Sequence, residues 1–155
     1  MPVSSHRYTQ DLNNPALVLV HGLGSAGNIW KTLVPELIQN FTVYAIDLPG
    51  HGDAALHENE EMDPRSLAHA IVDYMVSEMG IESMHVAGNS LGGWIALEMA
   101  AVAPDNVLSV TALAPAGLWH EQPKRKLPPS FLARILAKIS QHFMKTAYRI
   151  PVLKA

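Results

Sequence analysis

Met84-His85-Val86-Ala87-Gly88-Asn89-Ser90-Leu91-Gly92-Gly93-Trp94-Ile95-Ala96 decides how this chain is read. A short apolar run ends at Ala87 and reads as a buried strand. A second apolar run, Leu91 to Val102, reads as a helix closed by Pro104. Only three residues connect them. A turn that tight forces its apex residue into strained dihedrals and drives neighbouring side chains together, and glycines at 88 and 92 remove the collisions. Gly93 and Ala96 continue the small surface and let the helix pack close to the sheet. Ser90 stands at the apex, in the pattern G-x-S-x-G and in the strand-turn-helix context that the pattern requires of a nucleophile. The helix amino terminus brings free N–H groups and a positive dipole end, which makes the Leu91 N–H a natural oxyanion donor. The plain alternative is a glycine-rich strand–helix turn with a capping serine.

Working outward, Leu17-Val18-Leu19-Val20 reads as a strand buried on both faces. Ile29 to Ile38 has helical spacing, with Pro35 either tolerated or splitting it. Thr42-Val43-Tyr44-Ala45-Ile46 is the next strand, followed by a polar loop from Asp47 to about Glu61. Asp63-Pro64 reads as an N-cap with proline at the first helical position, opening a helix that runs to Met79 and stops at Gly80. Val107 to Leu113 is a fourth strand. This β-α-β-α-β-α-β order predicts an α/β fold with a doubly wound, mostly parallel sheet and right-handed crossovers.

Beyond Pro115 the character changes. Residues 1–115 carry three basic residues (Arg7, Lys31, Arg65) and thirteen acidic ones, a balance of −10, whereas residues 116–155 carry eight basic residues and Glu121, a balance of +7. Pro123 to Pro129 is rich in proline and lysine. After Ser130, a plausible N-cap, Phe131, Leu132, Ile135, Leu136, Ile139 and Phe143 form an apolar helical stripe opposite Arg134, Lys138 and Gln141. The expected organisation is therefore a core at 1–115 and a basic, partly helical segment at 116–155. Opposite charge favours docking of one on the other over nucleic-acid binding, since a core at −10 repels phosphates. A basic amphipathic helix on an anionic membrane surface is a further reading of that segment.

The whole chain has 155 residues, 48% apolar and 16% charged, with a net charge of −3 and no cysteine. That composition suits a soluble globular domain and excludes a disulfide framework, a thiolate zinc site and a cysteine nucleophile. No apolar run reaches the ~18 residues of a membrane span, and Met1 to Arg7 has no signal-peptide core. A cytoplasmic protein without stable membrane insertion is expected.

Three segments together resemble the α/β-hydrolase family: His21-Gly22-Leu23-Gly24, Asp47-Leu48-Pro49-Gly50-His51-Gly52 and Gly88-Asn89-Ser90-Leu91-Gly92-Gly93. Their order and spacing match that family's early strands over about residues 7 to 120. The resemblance implies a serine hydrolase of the esterase, lactonase or carbon–carbon-bond hydrolase branches, acting on a small acyl or ester substrate without cofactor or metal. It implies Ser90 as nucleophile and the backbone N–H groups of Leu91 and Leu23 as the oxyanion hole, supported by His21, Gly22, Gly88, Asn89 and Gly92. By the same likeness His21 shapes the turn before the oxyanion donor and His51 belongs to the loop after the next strand, so neither is the expected general base. Asp47 is expected to tie that loop down. His57, beside Glu58, Glu60 and Glu61, reads as part of a solvated loop without ligand spacing for a metal. A dehalogenase normally has Asp where Ser90 stands, which disfavours that chemistry.

A serine hydroxyl needs a histidine to take its proton and a carboxylate to fix the histidine, in this fold in the chain order Ser, acid, His. Downstream of Ser90 stand only Glu98, Asp105 and Glu121, with His120 and His142. Glu121 with His142 is one pairing, and surface polar residues are the other reading. The family's acid and histidine follow later strands, so the chain reads as an amino-terminal portion, incomplete at the C-terminal side, with the start of a helical cap. A catalytically inactive remnant or interaction module is the alternative function. An exposed sheet edge would then offer a route to self-association.

Overall fold

The computed structural model describes residues 1–56 and 62–117. His57 with its glutamates, and Glu121, His142 and the apolar stripe of the basic segment, lie outside the described residues. The elements are β1 (Ser4–Tyr8), β2 (Ala16–Val20), a 3₁₀ helix (Gly27–Thr32), α1 (Val34–Leu37), β3 (Thr42–Asp47), α2 (Pro64–Asp73), a π-helical turn (Tyr74–Glu78), β4 (Met84–Asn89), α3 (Leu91–Val102) and β5 (Val107–Leu113). The sheet order is β1-β3-β2-β4-β5. β2 runs parallel to β3 and β4, and β4 parallel to β5, while β1 is antiparallel to β3. The expected α/β class and parallel core are observed.

Two apolar layers sandwich the sheet. Val18, Val20, Ile46 and Val86 pack with Leu67, Ile71 and Met75 and with Ile95 and Met99 of α3 on one face. Leu17, Leu19, Val43 and Ala45 pack with Trp30 and, more loosely, Leu37 and Ile38 on the other. Every residue of β2 and β3 is buried, as the uninterrupted apolar runs required. β2 lies centrally: the chain passes from it to β3 on one side and then crosses over to β4 on the other. Such a reversal opens a crevice beyond the carboxyl ends of the strands, where ligands bind in open α/β sheets.

Three details depart from the sequence reading. β1 was not anticipated, because Ser4-Ser5-His6-Arg7-Tyr8 has neither an apolar run nor alternation. It is held by its ladder on β3 and by the Ser5 Oγ–Tyr74 hydroxyl bond at 3.0 Å. The helix expected over 29–38 is split into the 3₁₀ helix and α1, with Pro35 inside the first turn of α1, where its missing N–H costs nothing. The helix from Pro64 loosens after Asp73. The Met79 N–H donates to the Tyr74 carbonyl at 3.1 Å, five residues back, before Gly80 reverses the chain at φ +68.

Asp63 caps α2 as expected, its Oδ1 accepting from the N–H groups of Arg65 and Ser66 at 3.0 and 3.1 Å. Asp63→Ala should therefore lower stability by about 1 kcal/mol. Ile71→Ala, at a fully buried position, should cost about 2–5 kcal/mol. Urea unfolding followed by circular dichroism measures both, and equal losses would contradict this ordering.

Candidate active site

The elbow is built from backbone crowding. β4 ends at Asn89, α3 begins at Leu91, and Ser90 between them has φ 54 and ψ −114. That left-handed φ is costly for a residue with a side chain and persists only where the surroundings impose it. The surroundings are identifiable. A Cβ on Gly88 would collide with the Gly92 carbonyl, and one on Gly92 would collide with the carbonyls of Val20 and His21. The start of α3 thus sits directly on the ends of β4 and β2, with no room for a methyl group at either contact. The other clamp comes from the end of β5: the Ser90 N–H donates to the Leu113 carbonyl at 2.9 Å, and the Ala116 N–H donates to the Ser90 carbonyl at 2.9 Å. Ala114, within that clamp, is the other described non-glycine residue at positive φ (42). The sequence reading assigned this stretch no role at the elbow. Ala114-Pro115 beyond a strand end was the available signal.

Gly22 brings the second loop to the serine. A Cβ there would stand 3.3 Å from the Asn89 carbonyl oxygen and 3.4 Å from Ser90 Cβ, so Gly22, Asn89 and Ser90 are in near contact. The N–H groups of Leu23 and Leu91 donate to no other described group, and as first residue of α3 Leu91 has no partner within its helix.

His21 is fully buried. The Leu48 N–H donates to its Nε2 at 3.1 Å, so Nδ1 carries the proton and donates to the Gly22 carbonyl at 2.7 Å. The neutral ring thereby joins the loop after β2 to the loop after β3. Burial pushes its pKa below the ordinary 6.5, and the neighbouring His51 adds to that, against the opposing pull of the Gly22 carbonyl and Asp47. His51 repeats the arrangement: its Nε2 accepts from the Gly24 N–H at 3.3 Å, its Nδ1 donates to the Pro49 carbonyl at 3.0 Å, and its ring lies 5.1 Å from that of His21.

Asp47 ties the second loop down. Its Oδ1 accepts from the Gly27 N–H at 2.6 Å and its Oδ2 from the Asp53 N–H at 3.0 Å and from His6 Nε2 at 3.1 Å. Burial alone would raise its pKa, but the Asp53 and Gly27 amides and His6 outweigh that and hold the carboxyl below its usual range.

Among the described residues no imidazole hydrogen-bonds the Ser90 hydroxyl. His85 bonds Ser109 Oγ at 2.7 Å, and His69 is exposed on α2. Glu98 accepts from Trp94 Nε1 at 3.2 Å and faces Arg65 at 3.6 Å. The described residues bring Ser90 and Asn89 against Gly22, with Leu91 following the serine and Leu23 following that glycine in sequence.

Gly88→Ala and Gly92→Ala should each destabilise the chain by about 3 kcal/mol or more, because backbone must move to admit the methyl group. Chemical denaturation would show it, and a loss below 1 kcal/mol would mean that the elbow relaxes freely. His21 predicts an acid effect. Its folded pKa lies below the unfolded 6.5, so the unfolded state takes up the proton first. Its contribution is complete above that pH and is lost as pH falls below it. Urea midpoints at pH 7.5 and 5.5 should fall more for the wild type than for His21→Gln, and parallel slopes would refute the assignment.

Known proteins bear on this geometry. The family model for the alpha/beta hydrolase fold matches residues 15–149. The pimeloyl-[acyl-carrier protein] methyl ester esterase of Vibrio parahaemolyticus is 32% identical over 142 residues, which is 91% of this chain and 53% of that protein. Its counterpart in Aeromonas hydrophila is 30% identical over 156 residues, all of this chain and 58% of that protein. The chain thus spans about half the length of these curated relatives. Among solved structures, a membrane phospholipase A described as a bacterial virulence factor superposes with a TM-score of 0.68 at 31% identity, covering 80% of this chain and 42% of that one. A marine microorganism esterase shares the fold at a TM-score of 0.69 and 24% identity, over 88% and 51%. With the family match covering most of the chain and the elbow in place at Ser90, the chain belongs to the α/β-hydrolase family.

Proposed function

We propose that this chain carries the nucleophile half of a serine-dependent carboxylic ester hydrolase. The observation that supports it best is Ser90 held at φ 54 at the start of α3, beside the glycine loop after β2, with the Leu23 and Leu91 N–H groups unengaged among the described residues. In this reading Ser90 Oγ attacks the ester carbonyl, and the N–H groups of Leu91 and Leu23 receive the developing oxyanion. Such a donor contributes about 10²–10³ in rate. His21 and His51 act through the loops they hold and take no proton from the serine. The general base comes from outside the described residues, either from the basic segment or from a further stretch of polypeptide.

Residues 1–115 are proposed as the amino-terminal part of the hydrolase core, and 116–155 as a cap-like segment bearing on substrate choice. Two of the relatives are named for a methyl ester carried on an acyl-carrier protein, so a small acyl methyl ester is the first substrate class to test. The second reading is an inactive remnant or interaction module, associating through the β5 edge. It is favoured by the absence, among the described residues, of an imidazole bonded to the Ser90 hydroxyl.

A fluorophosphonate probe should label the chain and fail to label Ser90→Ala, with p-nitrophenyl ester turnover lost in the same variant. That pair of results supports the hydrolase and sinks the remnant reading. Absence of both labelling and turnover in the wild-type chain overturns the hydrolase reading for this polypeptide.

A further inference from the structure

Away from the elbow, three donor atoms from three separate parts of the chain converge beside β1. They are His6 Nε2 on β1, an Asp47 carboxylate oxygen at the end of β3, and an Asp53 carboxylate oxygen in the following loop, all within 4.8 Å of one another. We propose that they form a divalent transition-metal site, of the open kind that zinc occupies, which pins the amino-terminal strand to the loop after β3.

The geometry of the imidazole carries the argument. His6 Nε2 lies 3.1 Å from Asp47 Oδ2 and 3.6 Å from Asp53 Oδ2. One N–H can satisfy one of these carboxylates well, and the second then faces it without a proton to share. A cation satisfies both. Bonds of about 2.0–2.2 Å in tetrahedral directions put ligand atoms roughly 3.3–3.6 Å apart; the 3.6 Å separation falls at that range's upper end and the 3.1 Å one just below it. Neutral imidazole shifts its proton to Nδ1 and offers the Nε2 lone pair, so no further proton acceptor is needed. Asp47 can serve although it already accepts two amide bonds, since a carboxylate has about four lone-pair positions. Those amides fix its orientation, as outer partners of metal ligands do.

The site is reachable and has the right charge. A cavity of about 240 Å³ is lined by His6, Tyr8, Lys31, Asp47 and Asp53 among others. It leaves space for a water in the fourth position. One lysine, Lys31, and two carboxylates line that cavity, which leaves an excess of negative charge. The mixture of one imidazole nitrogen and two carboxylate oxygens suits zinc better than magnesium or calcium, which prefer oxygen alone. The residues are spread over positions 6, 47 and 53, so no local motif announces them, and the antiparallel pairing of β1 on β3 is what assembles them.

The test uses the full chain, freed of metal by chelation and titrated with zinc sulfate by calorimetry and thermal unfolding. One saturable site with a raised unfolding midpoint is expected. His6→Ala and Asp53→Asn should each weaken binding about 10-fold or more, while His69→Ala on the exposed side of α2 should leave it unchanged. Cobalt(II) in place of zinc should give visible absorption of a four-coordinate nitrogen–oxygen site, lost in both variants. Asp53 is exposed, so Asp53→Asn keeps the fold and decides the matter if His6→Ala does not fold. Absence of saturable binding, or wild-type affinity in Asp53→Asn, overturns the site. Neither readout depends on Ser90 chemistry.

Discussion

The described part of this chain depends on a backbone contact that excludes side chains. The first turn of α3 rests on the ends of β2 and β4 so closely that neither Gly88 nor Gly92 has room for a methyl group. Close approach of peptide groups brings the α3 dipole and its unpaired N–H groups to the place where β2 ends. It also holds Ser90 at a left-handed φ that the residue would not adopt alone. The strain is spread over a buried strand pair behind it: β2 is buried along its whole length between β3 and β4, so relaxing the elbow would mean moving the centre of the sheet.

A second set of interactions converts that contact into an organised surface. Loops over the carboxyl ends of parallel strands would otherwise be free to differ in conformation. Here the loops after β2 and β3 are tied by two buried polar groups, His21 bonded to backbone alone and Asp47 to two backbone amides and to His6. His21 spans the loops after β2 and β3 as a neutral ring, and Asp47 gathers the amides of Gly27 and Asp53. A neutral imidazole suits the first position because it must accept at one nitrogen and donate at the other. Protonation would set a second N–H against the Leu48 amide in a fully buried site. A carboxylate suits the other position because only amide and imidazole N–H groups point at it. The two residue types are not interchangeable, although both do the work of tying loops.

How much of this the sequence disclosed follows from how local each feature is. α3 and β5 were legible at their boundaries, because a continuous apolar run between Gly, Pro and Asn signals is a local property. The elbow was legible because G-x-S-x-G followed a buried strand. β1 was not, since Ser4 to Tyr8 is polar and its order comes from pairing with β3, some forty residues away. The helix over 29–38 was over-extended because helical spacing of apolar residues does not reveal where Pro35 will start a new first turn. The roles of His21 and His51 as loop ties were expected through family likeness. Their partners, Leu48, Gly22, Gly24 and Pro49, are visible only once the strand ends are side by side. The clamp on Ser90 from Leu113 and Ala116 was not legible for the same reason, being an interaction between consecutive strand ends across a helix.

A division of labour in the fold makes the proposed site intelligible although, among the described residues, no imidazole bonds the serine. Positioning of the proposed nucleophile and oxyanion donors depends on backbone geometry between β2, β4, α3 and the end of β5. Proton transfer depends on side chains that have only to reach the crevice, so other parts of the fold can deliver them. The two contributions differ in size as well as in origin. An oxyanion hole and binding alone leave about 10³–10⁴ over the uncatalysed rate, whereas the loss of a triad member costs up to about 10⁶ in a well-studied protease. In the proposed reading, an oxyanion site built from the Leu91 and Leu23 N–H groups is expected to bind carbonyl or phosphonyl groups and orient them on Ser90 even where turnover is slow. Gly22, Ser90 and Gly92 meet the ends of β2, β4 and β5 through contacts among the described residues, so the proposed capacity can be tested apart from any general base.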